Sequence, residues 1–320
     1  TVSALGLRIL ALLAFQNCFK NLLMRHVMKE RPAFLTSAAV ILVEIIKLVL
    51  CVGYILLVDK RSLGSIYEFL REDHRHSMLL GIPAAAYSFQ MSMEYVALAN
   101  LDAAVFSVLV QCKLLCTATF SVCILRRKLR FIQIISLVLL TAGVMLININ
   151  NNKQSNLQDE ADTTKGVIAT LGIAVSSGLA GVYTEKVIKA QRKASVARQN
   201  YSLAYMQVQL ALVSLVLLGI HAVVKDYDMI RDKGLFQNFT NGAFLSVLNS
   251  AIGGLVVAAV LKYADAVLKG YATAVSVVMT GLLSMALFGT KLNALYFLGI
   301  VNVVCAVLLY SGKNLDKHAC

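Results

Sequence analysis

The stretch LKYADAVLKGYATAVS, Leu261–Ser276, poses the problem that decides the fold. It lies in one of the most apolar parts of the chain, yet it carries Lys262, Asp265 and Lys269. On a helix, the i, i+3, i+7 spacing puts all three on one face. Two ammonium groups and a carboxylate in such a run must be reconciled with the solvent around them.

That solvent is lipid. Of 320 residues, 58% are hydrophobic and only 15% charged, and the mean hydropathy is +0.74. A soluble domain of this length needs far more polar surface. Apolar runs of about 20 residues, the length that crosses a bilayer, recur along the whole chain. Ten spans are predicted: 5–28, 33–58, 77–99, 103–125, 130–149, 165–188, 202–224, 239–261, 266–289 and 293–311. The first is longer than the apolar core of a cleaved leader and reads as a span. The fold class is therefore all-α integral membrane. The seven cysteines lie mostly inside apolar runs, and Cys112 and Cys116 are one turn apart. This is neither a disulfide framework nor a zinc set, and no metal or cofactor is predicted.

Basic residues orient the bundle. Fifteen lysines and arginines fall on the side of the N-terminus and nine on the other, which predicts that both termini are cytosolic. The net charge of +13 is then mostly a property of one membrane face, and nucleic-acid binding is not predicted.

The two halves resemble each other. A shift of 163 residues lays NLDAAV (100–105) on YADAVL (263–268) and Lys128-Leu129 on Lys291-Leu292. Two repeats follow, at 1–150 and 165–320, joined by 151–164. Five spans per repeat is an odd number, so the second copy is inverted. Inverted repeats place a transporter's substrate site near the midplane between the copies.

Charges inside spans cost at least ~2.5–3.5 kcal/mol on insertion scales and mark candidate sites. Lys47 has Glu44 one turn before it, an internal pair. Lys113 lies mid-span with no carboxylate one turn away, which predicts a wet cavity. Lys262 ends its span and faces that cavity or the membrane surface. Asp102 and Asp265 sit where helices begin and read as caps. Lysines converging on one cavity indicate an anionic solute, most simply a phosphate. Tyr87, Gln90, Gln207, Asn249 and Ser250 supply polar neighbours, and amides suit the edge of a nucleobase. No G-x-x-x-x-G-K-[ST] motif is present, so no ATP motor is predicted.

Three motifs then resemble one family: ALANLDAAVFSVLVQCKLLCTA (97–118), SSGLAGVYTEKVIK (176–189) and IGGLVVAAVLKYADAVLKGYATAVS (252–276). They are similar to those of nucleotide-sugar transporters of the drug/metabolite superfamily, and within it to the CMP-sialic acid branch. The resemblance implies ten helices in two inverted five-helix repeats in a Golgi membrane. It implies exchange of a cytosolic CMP-linked sugar for lumenal CMP, without enzymatic chemistry. It further implies that Lys47, Lys113 and Lys262 bind substrate and that Tyr87 and Gln207 hold the nucleoside. Asp265 and Lys269 are then expected to hold the corner between spans 8 and 9 together. Where the family reads R-N-I-Q in span 7, this chain reads MQVQ (206–209). The alternatives are a carrier of UDP- or other nucleotide-sugars with the same fold, and a membrane-embedded glycosyl- or phosphotransferase. The latter needs a carboxylate cluster at a membrane face, and Glu72-Asp73 beside His74 and His76 is its only candidate.

Overall fold

A computed structural model describes residues 4–27, 36–72, 81–86, 89–90, 93–94, 96–97, 100–101, 103–151, 163–193, 202–225, 231, 234, 239–288 and 293–312. Tyr87, Asp102, Asp73, His74 and His76 lie outside them. The described elements are α1 (Ala4–Val27), α2 (Thr36–Leu57), α3 (Leu63–Glu72), α4 (Ala103–Leu109), a 3-10 turn (Val110–Cys112), α5 (Lys113–Leu125), α6 (Phe131–Asn151), α7 (Thr163–Lys193), α8 (Leu203–Lys225), α9 (Asn241–Tyr263), α10 (Ala266–Phe288) and α11 (Ala294–Gly312). No strand occurs among the described residues.

Five helical stretches are long and apolar enough to cross a membrane: Ser37–Leu57, Thr163–Ala190, Leu203–Val224, Asn241–Tyr263 and Ala266–Leu287. Val110–Leu125, Phe131–Ile147 and Ala294–Tyr310 are shorter apolar helices. Their outer faces are greasy. Leu57, Phe131 and Val224 are nearly fully exposed, at 79%, 78% and 80%, which suits lipid and not water. The chain is thus a multi-pass membrane protein.

Helix ends carry the expected chemistry. Thr240 caps α9, its hydroxyl accepting from the Ala243 amide at 3.2 Å. Asn293 caps α11 through the Tyr296 amide at 3.0 Å, and Asp265 caps α10 through the Leu268 amide at 2.7 Å. Each satisfies an amide that the first turn leaves without a partner. α5 stops where Arg126 turns left-handed, at φ 53°.

Two connections depart from the sequence reading. The segment 59–76, expected as a plain link, holds the amphipathic helix α3. Its Ile66 and Phe69 pack on Ile55, Tyr205 and Val208, with the Ser65 and Tyr205 hydroxyls 2.8 Å apart. α7 also runs on to Lys193, five residues past the predicted end of its span. Polar residues hid both, because helix outside the apolar layer needs only one buried stripe.

The main packings are α6 on α11, α2 on α8, α5 on α7, and α1 on both α9 and α10. The α6–α11 contact is close because both sides are small. A Cβ on Gly299 would meet the Gly143 carbonyl oxygen at 2.7 Å, and one on Gly143 would meet the Gly299 carbonyl oxygen at 3.0 Å. One end of the same crossing has the Ser136 hydroxyl donating to the Ala306 carbonyl at 3.1 Å. Glycine and serine let helix backbones approach in lipid. Adding a methyl at Gly299 should therefore destabilise the protein by about 1–3 kcal/mol through overpacking. Gly53, where a Cβ would have nothing within 4 Å, should tolerate Ala or gain about 0.4–1 kcal/mol. Thermal unfolding of Gly299→Ala and Gly53→Ala in detergent checks both signs.

Candidate functional site

A cavity of about 490 Å3 opens between the helices, within the size range of small-molecule sites. Lys20 of α1, Glu44 and Lys47 of α2, Gln90, Thr184 of α7, Gln207 and Ser214 of α8, and Lys269 of α10 line it. α9 contributes Gly254, Val257, Ala258 and Leu261, a single face at i, i+3, i+4, i+7.

Each lysine is held differently. Lys47 pairs with Glu44 at 2.7 Å, as the i, i+3 spacing predicts. Its side chain lies across Gly254, where an added Cβ would stand 3.0 Å from Lys47 Cδ. Lys269 forms no ion pair with a described residue. Its Nζ stands 3.7 Å from the place a Cβ on Gly181 would take. Lys113 begins α5 directly after the 3-10 turn, so span 4 is broken at its central charge. Such turns inside helices often mark hinges. Lys113 is half-buried and interacts electrostatically with Glu94, Lys20 and Lys269. Glu44 Oε2 and Gln90 Oε1 are buried without a hydrogen-bond partner among the described residues. Both face a cavity where a ligand or water donor satisfies them.

The structure brings Lys47, Gln90 and Gln207 to the cavity as the sequence predicts. It leaves Lys113, Lys262, Asn249 and Ser250 out of the lining. Lys262 follows the lining residue Leu261 by about 100° of helix rotation, and its ammonium lies over the Tyr263 ring, 5.5 Å from the centroid. Asn249 turns toward α1, where its backbone carbonyl accepts from Gln16 Nε2 at 2.9 Å. Lys269 reverses its expected role, for it faces the cavity and does not hold the corner with Asp265.

Asp265 is held instead by Arg127, 3.1 Å away. Arg127 also reaches Glu185 at 2.5 Å. Glu185 is fully buried and accepts as well from Lys189 Nζ at 2.6 Å and the Ala266 amide at 2.8 Å. Lys189 donates in turn to the Ala264 carbonyl at 2.7 Å. This network ties α5, α7 and the α9–α10 corner together. It forms the floor of the cavity, because Thr184 and Leu261 line the cavity and Glu185 and Ala264 lie within one turn of them. Sequence reasoning missed the floor, of which it expected only Asp265, as a cap and a holder of the corner. It also missed Lys20, whose only signal is a cation one turn after the buried Gln16.

A nucleotide-sugar transporter family profile matches residues 2–311. The chain belongs to the nucleotide-sugar transporter family. The human UDP-N-acetylglucosamine transporter is 34% identical over 311 residues, covering 94% of this chain and 93% of that protein. The mouse UDP-galactose translocator is 35% identical over 309 residues, covering 94% of this chain and 77% of its own length. A solved crystal structure shares the fold, with TM-score 0.64 at 13% identity over 94% of this chain and 97% of that one. The relatives are transporters, and this nucleotide-sugar transporter is not an enzyme.

These relatives overturn the expectation of CMP-sialic acid, since their names carry UDP-sugars. The reason is visible in the floor. Of the motifs that carried the resemblance, G-V-Y-x-E-K supplies Glu185, and K-Y-x-D-x-x-x-K-G supplies Asp265 and the Ala264 and Ala266 backbone. They build the fold's joint and do not read a base. Removing a partner from a buried ion network costs about 3–5 kcal/mol. Glu185→Ala should cost that much, leaving Arg127, Lys189 and the Ala266 amide unpaired, and thermal unfolding of the purified variant measures it.

Proposed function

We propose that the protein exchanges a UDP-sugar for UMP across a Golgi membrane by alternating access, with both termini cytosolic. The observation that carries this reading is the cavity itself, where the Lys269 ammonium has no resident counter-ion among the described residues. Lysine is suited to a phosphate that must bind and leave. Lys269, Lys113 and Lys20 take the phosphates, and the Lys47–Glu44 pair faces the rest of the substrate. Gln207 and Gln90, with Tyr87, hold the nucleoside. A glutamine amide matches the edge of either pyrimidine, so the uridine assignment is supported by the named relatives.

Two inverted five-helix repeats, 1–150 and 165–320, support alternating access. Exchanging each span with the one five later turns the α1–α10 packing into the packing of α7 on α4 and α5, and both packings are present. The 163-residue shift likewise turns the Gly143–Gly299 contact into Ala306–Ser136, which is also present. The basic side of the bundle supports the orientation.

Exchange follows from charge. Closing an empty cavity buries uncompensated ammonium groups, a cost of several kcal/mol per ion. A bound anion offsets it, so loaded carriers cross faster than empty ones. In liposomes preloaded with UMP, CMP, GMP or AMP, labelled UDP-sugar uptake should rise at least about tenfold with internal UMP over empty vesicles. A contact to a charged group is worth about 1.5–3 kcal/mol, so Lys269→Met should weaken half-saturation roughly 10- to 150-fold. Equal uptake with all four nucleotides contradicts the uridine reading. Uptake into empty vesicles as fast as exchange contradicts the exchange mechanism.

A further inference from the structure

A second, smaller cleft of about 210 Å3 lies between α1, α10 and α11. It shares no lining residue with the larger cavity. α1 contributes Leu7, Leu10, Ala11 and Ala14, a single face at i, i+3, i+4, i+7, so the cleft runs about 10 Å along the helix. Its opposite wall is aromatic. Tyr271 and Tyr310 line it with their ring centroids 4.6 Å apart, and the Tyr271 hydroxyl is hydrogen-bonded to Ser136. Leu7 and Ala11 are exposed, so the cleft faces the bilayer.

Arg8 stands beside this opening, between Leu7 and Ala11, and is exposed. Leu5, Leu12 and Phe15 share its face of α1 and are exposed too, which makes that face a lipid-facing one. Arg8 forms no ion pair with a described residue. A cation on a lipid-facing stripe is costly unless it reaches the membrane surface or a partner. Arg8 is four residues from the helix start at Ala4, about 6 Å, so its stem carries the guanidinium to the phosphate layer. There a guanidinium takes a phosphate with two parallel hydrogen bonds. None of α1, α10 and α11 carries an acidic residue, so the ammonium of a zwitterionic headgroup finds no carboxylate on them.

We propose that the cleft binds one anionic phospholipid of the surrounding bilayer, with its phosphate on Arg8 and an acyl chain along Leu10, Ala14 and Tyr271. The lipid acts on the bundle through the floor. Leu10 and Ala14 also cluster with Val260 and Ala264, and the Ala264 carbonyl holds Lys189. Leu268, which lines the cleft, donates its amide to Asp265. A lipid seated here braces the α9–α10 corner from its outer side.

The test is native mass spectrometry of the purified protein, without nucleotide, from a neutral detergent holding equal amounts of dioleoyl-phosphatidylglycerol and dioleoyl-phosphatidylcholine. Wild type should retain one lipid, with phosphatidylglycerol preferred. Arg8→Gln should weaken phosphatidylglycerol binding roughly 10- to 150-fold and remove the preference, and Arg8→Lys should keep part of it. Ala11→Phe fills the cleft from its exposed side and should lower retention of both lipids. Lys128→Gln removes an exposed cation outside the cleft and should change neither. Phosphatidylglycerol should raise the unfolding temperature of wild type above that in phosphatidylcholine, and should not do so for Arg8→Gln. Equal retention of the two lipids by wild type overturns the proposal. So does a loss of preference in Lys128→Gln as large as that in Arg8→Gln, which reduces the effect to net charge. Ala11→Phe that splits a dimer and keeps its lipid assigns the cleft to a second copy of the chain and overturns it as well. If Ala11→Phe does not fold, Arg8→Gln against Lys128→Gln still decides. None of these readouts requires transport, so a failure here leaves nucleotide exchange untouched.

Discussion

Everything in this protein turns on the cost of keeping ammonium groups inside an apolar bundle. A charge removed from water must be paired, hydrated or given a ligand, and the structure does each in a different place. The floor pairs its charges completely. Buried Glu185 accepts from Arg127, Lys189 and the Ala266 amide, and Asp265 returns to Arg127. Lys47 is paired within its own helix. Lys269 is left to the cavity, with Gly181 beneath it. The sequence run that posed the problem therefore resolves residue by residue. Lys262 lies over an aromatic ring, Asp265 joins the floor, and Lys269 faces the ligand.

Glycines make this arrangement fit. Gly254 and Gly181 leave room for the stems and heads of two lysines, and Gly143 and Gly299 let two helices cross at backbone distance. In lipid there is no hydrophobic drive for helices to associate, so such contacts carry the packing. The same small residues serve structure in one helix pair and ligand access in another. Only the neighbouring side chain tells which.

The fold was legible because lipid writes a simple code. Apolar runs of membrane length gave nine spans that appear as helices among the described residues, with ends within a few positions. The cap at Asp265 was legible because an unpaired amide must find an oxygen. α3 was not legible, since a short amphipathic helix has no length signal. The site was half legible. Lys47 and Gln207 stood out by cost and pattern, and they line the cavity. Lys269 lines the cavity in place of Lys262 because one residue of helix turns a side chain by about 100°, and the break at the α9–α10 corner resets that phase. Lys20 was overlooked because a cation toward the end of a span looks like one that reaches for the membrane surface. The substrate was misjudged because the most recognisable motifs build the floor, whose charges are taken up in pairing with one another.

The central claim is that the lysines of the cavity bind a nucleotide through its phosphate. The most direct measurement is the thermal unfolding of purified protein in detergent with UMP and, separately, with uridine. Binding to the folded state raises stability in proportion to the logarithm of ligand over Kd. UMP should raise the unfolding temperature in a dose-dependent manner that falls with added salt, and uridine at equal concentration should not. Equal shifts from UMP and uridine, or none from either, would contradict the account.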